Sequence, residues 1–178
     1  MKRLLADLVD KDRLVHAPSS REDLQASLAR AARALSDAAA PELDPTSRFD
    51  IAYTAAHGFA LCALRAHELR PAPGARHRGL AFLTLVHTID APEAMASSLN
   101  GYHELRNRSD GGQRDDITDA EARAMLNLAV KLAKRLLDWL AERRPDLVPE
   151  RPPGEMTARA DRTDTATFAH RSRDRGVF

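Results

Sequence analysis

The chain has 178 residues, 27 basic and 26 acidic side chains and a formal net charge of +1, enough for one domain with a real core but without a strong, global field for nucleic acid. Its residues are 43% hydrophobic but only 4% aromatic, so the core must be mostly alanine and leucine, a mixture that favours helices. The single cysteine, Cys62, excludes an intrachain disulfide framework and a thiolate zinc site. Met1 to Leu5 runs quickly into Asp7 and Asp10 without the apolar stretch of a signal peptide or membrane span, so a cytoplasmic protein with no membrane contact is expected.

Leu4, Leu5, Leu8 and Val9 fit a small helix within residues 2–15. Ser19 and Glu22 stand at capping-box spacing ahead of a helix that puts Leu24, Leu28, Ala31 and Leu35 on one face and ends before Pro41. Asp44-Pro45 marks the next start, because proline suits a first helical turn. The helix predicted over 45–70 is the longest apolar element. Phe49, Tyr53, Ala56, Ala60 and Leu64 make one stripe, and Ile51, Ala55, Phe59 and Cys62 make another. A helix apolar on two sides is central or covers its second side with another subunit. The expectation is core plus a homodimer interface.

Pro71-Ala72-Pro73-Gly74 breaks the chain, and a short helix over 75–89 carries Leu80, Leu83 and Val86. Asp90 and Glu93 offer another capping box. The helix they begin places Met95, Leu99, Tyr102 and Arg106 on one face, at i, i+4, i+7 and i+11. An arginine on an inward stripe needs partners, because an unpaired buried charge is very costly. Asp110, one turn on, is the expected one. His103, three residues before Arg106, shares its face, and Asn107 follows it. Gly101 makes a soft spot worth about 1 kcal/mol against alanine, and Gly111-Gly112 ends the helix. After a polar loop, Thr118 and Glu121 cap an amphipathic helix with Ala122, Met125, Ala129, Leu132, Leu136 and Leu140 inward.

From Pro145 onward prolines and alternating charges leave too little apolar surface to offset ordering entropy. The chain therefore reads as an all-α, up-and-down bundle of about five helices over 1–145, with a polar, flexible tail over 146–178. No two of the seven histidines lie at i, i+4, so neither a metal nor a cofactor is expected. Arg65, Arg70, Arg76, His77 and Arg78 are offset only by Glu68. Joined by Arg106, Arg108 and Arg114, they would form a patch for the phosphates of RNA. Residues 94–106 faintly resemble a DNA-binding helix-turn-helix.

Leu105-Arg106-Asn107 before a helix end, with Arg48-Phe49-Asp50-Ile51-Ala52-Tyr53 opening a long alanine-rich helix and Gly74-Ala75-Arg76-His77 between them, resembles the HEPN family over about residues 45–142. That resemblance implies a helical bundle that dimerises. It also implies, for many members, a metal-independent endoribonuclease of toxin–antitoxin or defence systems, whose catalytic pattern is an arginine, a polar residue and a following histidine. Arg106 and Asn107 match its start, but Gly111, Gly112 and Gln113 stand where the histidine belongs. The expected function is thus a catalytically degenerate, dimeric RNA- or partner-binding component, with an antitoxin or a nucleotidyltransferase as partner. The alternative is an active ribonuclease with an altered site. There His103 would supply the base for the 2′-hydroxyl and Arg106 the charge for the phosphate, with Asn107 and Asp110 beside them.

Overall fold

The computed structural model describes residues 3–73, 77–110 and 117–148, without the side chains of 77, 78 and 108–110. Among the described residues the order is α1 (Arg3–Asp10), β1 (Leu14–His16), α2 (Arg21–Ala38), α3 (Pro45–Arg65), β2 (Leu69–Pro71), α4 (His77–Leu83), α5 (Leu85–Thr88), α6 (Glu93–Asp110) and α7 (Asp119–Arg143). The architecture is the expected all-α bundle, with one two-stranded sheet added to it.

Helix α3 is the centre because its alanines let neighbours approach closely. Ala52, Ala55, Ala56, Ala60 and Ala63 are all fully buried, with Phe49, Tyr53, Phe59, Cys62 and Leu64 among them. Helix α2 comes close, since a Cβ added to Gly58 would stand 3.0 Å from the Ala31 Cβ. Both apolar stripes of α3 are thereby covered inside one protomer, apart from half-buried Ile51. The ground for reading Ala55, Phe59 and Cys62 as a subunit interface is gone. Burial pushes the Cys62 thiol up to about 12, against the pull of Arg65 and Arg30.

Helix α3 starts where expected, with Asp44 accepting from the Ser47 amide at 3.0 Å and Pro45 at the first position. It ends earlier than expected. Glu68 takes a left-handed φ of 58°, reversing the chain so that β2 pairs antiparallel with β1, Leu14 opposite Pro71 and His16 opposite Leu69. Leu14 and Leu69 are both buried, and Pro71, lacking an amide hydrogen, sits at the strand end. Arg144 donates to the Ala66 carbonyl at 2.6 Å, supplying a cation to the helix C-terminus.

Other boundaries shift for local reasons. The α2 cap is Ser20 with Asp23, one residue beyond the expected pair of Ser19 and Glu22. The helix expected over 75–89 is divided at Thr84, whose hydroxyl donates to the Ala81 carbonyl at 2.9 Å, a bond that competes with regular helix. The first turn of α6 starts from Pro92, whose carbonyl accepts from Met95 and Ala96, with Asp90 two residues earlier at a φ of 51°. Since α6 is one continuous helix, the helix-turn-helix likeness of residues 94–106 fails.

The α7 expectation holds in detail. Thr118 and Glu121 form the capping box, and all six inward residues are fully buried. The bundle continues past residue 145 as a 3₁₀ turn, Pro145–Leu147, with Leu147 in the core and Arg21 donating to the Val148 carbonyl at 3.3 Å. The rest of the expected tail, and the loop over 111–116, lie outside the described residues. Among the described residues no helix is long and apolar enough to cross a membrane.

A Cβ added to Gly101 would meet no heavy atom within 4 Å, so alanine there adds helix propensity without a clash. Gly101→Ala is expected to stabilise the protein by about 0.5–1 kcal/mol, read as a higher urea midpoint at unchanged slope.

Candidate functional site

A polar cluster forms where α6 crosses the first half of α3. The inward face of α6 runs from Met95, packed against the core, through fully buried Leu99 and half-buried Tyr102 to Arg106. The Arg106 Nε donates to the Asp50 carboxylate at 2.8 Å, its side chain 19% exposed and that of Asp50 47%. The guanidinium carbon also lies 4.9 Å from the centroid of the Tyr53 ring, where the negative face of the ring favours a cation. An i, i+3 pair on α3, Asp50 and Tyr53, therefore holds both the charge and the plane of the arginine.

His103 rests on the same tyrosine. Its ring stacks on Tyr53 at 15° with centroids 6.1 Å apart, and its Nδ1 shares a 2.7 Å hydrogen bond with the Tyr53 hydroxyl. Its Nε2 stands 3.2 Å from the side-chain amide of Asn107. With the proton on Nδ1, Tyr53 accepts and Nε2 accepts from Asn107. The opposite tautomer requires the Asn107 amide turned so that its oxygen faces the ring. From α4, Gly79 closes on the imidazole: a Cβ there would come within 3.1 Å of His103 Cδ2 and 3.3 Å of Asn100 Oδ1. Phe82, also on α4, meets the Tyr53 ring edge-on at 5.7 Å, and Tyr53 is only 1% exposed. Nearby, burial and then Glu121 raise the Tyr102 phenol above its ordinary pKa.

The structure thus unites His103, Arg106 and Asn107, as their spacing on α6 requires. The side chain of Asp110, the expected partner of Arg106, lies outside the described residues, and the carboxylate observed on Arg106 is Asp50. Sequence reasoning passed over Asp50 and Tyr53 as site residues, placing them only in the opening of the long helix and, for Tyr53, in an apolar stripe. An isolated carboxylate beside an aromatic in an otherwise apolar helix was the available signal. Arg48, from the same opening, has another task. It reaches Asp119 at 3.4 Å and the Ala40 carbonyl at 3.1 Å, tying the α2–α3 connection to the start of α7.

Of the expected basic patch, Arg65 and Arg70 line one cavity of about 300 Å³ with Ala17, Pro18, Ser19 and Asp23. Arg106 does not join them. Asp50, its partner, stands 15 positions before Arg65 on the same helix, a separation of about 22 Å at about 1.5 Å per residue. Residues 74–76 and 114, and the side chains of 77, 78 and 108, lie outside the described residues.

Comparison with protein-family models, with curated proteins and with solved structures found no match to this chain.

Proposed function

We propose that the protein is a catalytically degenerate, HEPN-like module that binds RNA or a protein partner, acting in the cytoplasm within a toxin–antitoxin or defence system. Pairing of two copies, or with an antitoxin or nucleotidyltransferase, belongs to the same proposal. The observation that carries it is the occupancy of the groups a ribonuclease would use. Both ring nitrogens of His103 have protein partners, and the Arg106 charge is met by Asp50. A general base must be able to reach the proton it abstracts, and the hydroxyl bonded to His103 belongs to a tyrosine that is almost fully buried.

One observation favours the second reading, an active metal-independent endoribonuclease. A cation and an imidazole gather around one phenol ring at 4.9 Å and 6.1 Å, a set able to hold a phosphate and move a proton if the cluster opens. Incubating the purified protein with structured and unstructured RNA, without metal, separates the two. Binding without cleavage is the expected result, with affinity falling as salt rises and about tenfold or more lost in Arg106→Ala. Cleavage that disappears in both Arg106→Ala and His103→Ala would restore the ribonuclease. Absence of any RNA binding would leave the protein-partner arm alone.

A further inference from the structure

Two arginines meet on a single oxygen away from the Arg106 cluster. Arg30 Nη2 on α2 and Arg65 Nη1 on α3 both donate to Ser27 Oγ, at 3.0 Å and 2.9 Å. That hydroxyl spends its own proton on the Asp23 carbonyl at 2.8 Å. The shared hydroxyl holds two like charges close together but is neutral and cancels neither. Among the described residues neither guanidinium has a carboxylate within 4.0 Å. Arg65 continues into the neighbouring cavity, which Arg70 and Ser19 also line. Among the described residues Arg70 reaches only the carbonyl of the adjacent Pro71, at 3.5 Å, and Arg30 lines an adjoining cavity of about 290 Å³ that Arg65 shares. Among the described residues the single carboxylate lining this cavity is Asp23, which accepts from the Ser20 amide in the α2 cap.

Arg65 thus stands between Arg30 and Arg70, and Asp23 is the one carboxylate among the described residues that lines either cavity, so positive charge exceeds negative charge here. We propose that Arg30, Arg65 and Arg70 form a binding site for a phosphate group. A carboxylate is the poorer fit, since its two oxygens cannot serve three guanidinium forks, whereas a phosphate offers more acceptor oxygens in the geometry arginine recognises. The phosphate is either free or part of an RNA backbone. The partly exposed edge of α3, through Asp50, Thr54, His57, Gly58, Leu61 and Arg65, runs from the Arg106 cluster to this site. A bound strand touching both would span about 22 Å. Only that RNA arm rests on the function proposed above.

The test is an NMR titration of the full chain with inorganic phosphate, against chloride at matched ionic strength. Saturable shifts at the Ser27 and Arg65 amides and the arginine Nε–Hε groups are expected with phosphate alone. Affinity should fall about tenfold to a hundredfold in Arg65→Ala and stay unchanged in Lys134→Ala, which removes an exposed cation on α7. Arg30→Ala, at an exposed position, serves the same purpose should Arg65→Ala fail to fold. Equal shifts with chloride, or phosphate binding that survives both Arg30→Ala and Arg65→Ala, overturn the site. In the second arm, single-stranded RNA is titrated at several salt concentrations. A salt slope lowered by about one in Arg65→Ala places the site on the RNA path. An unchanged slope, with phosphate binding lost in the variant, supports the site as one for free phosphate. Failure of RNA to bind while phosphate still does counts against the RNA reading and for the site.

Discussion

Ala55→Glu should unfold the protein. Ala55 is fully buried on α3, within a core that also holds Phe59 and Cys62. A glutamate there must bury an ionised carboxylate or take up a proton, and its added volume meets a helix whose neighbours are already close. A buried charge without a partner and overpacking fall among the mechanisms that give the largest single-residue losses, more than about 4 kcal/mol here. Circular dichroism and thermal melting of the purified variant measure it directly. A soluble, helical Ala55→Glu protein melting with the parent would mean that α3 does not pack as described, and would restore its second stripe as a surface. The variant is therefore a probe of the core and not of dimerisation.

That stripe shows where sequence reasoning reaches its limit. Two apolar stripes correctly made α3 central, but periodicity reports which residues avoid water and not what covers them. Here both stripes are buried within the protomer apart from half-buried Ile51, with α2 and α7 as the main neighbours of α3, and the close contact of Gly58 with Ala31 is the detail that lets α2 approach. Local rules held where one short segment decides the matter. Asp44-Pro45 and Thr118 with Glu121 capped the helices they were expected to cap, because the partners lie within four residues of each other. They slipped at Ser19 and Glu22, since Ser20 and Asp23 offer the same chemistry one residue on. The strands at Leu14–His16 and Leu69–Pro71 were illegible because three residues carry no usable alternation, and their pairing joins segments more than 50 positions apart. The site divides in the same way. His103, Arg106 and Asn107 follow from spacing on one helix, whereas Asp50 and Tyr53 required knowing which helix α6 crosses.

The pairing of Arg106 with Asp50 can be measured by a double-mutant cycle. Arg106→Ala is expected to cost about 1.5–3 kcal/mol, because it removes the ion pair, the contact with the Tyr53 ring and the buried stem together. Asp50→Ala should cost less, about 1 kcal/mol, since nearly half of that side chain is exposed and solvent already screens it. If the two groups interact as the 2.8 Å contact indicates, the double variant loses about 0.5–1 kcal/mol less than the sum of the singles. Raising the salt should shrink that coupling. Arg106→Lys keeps the charge but loses the planar guanidinium that lies against Tyr53, so it should not recover the full stability. Strict additivity would show the pair to be energetically idle, leaving the tyrosine contact as the main anchor of the arginine. The cycle also bears on function. An arginine worth several kcal/mol to the fold is explained by the fold, and a loss of RNA binding in Arg106→Ala must then be checked against unfolding. If instead Arg106→Ala stays folded with little loss of stability, the protein holds a half-buried cation that the fold does not need, and binding becomes the reason for it.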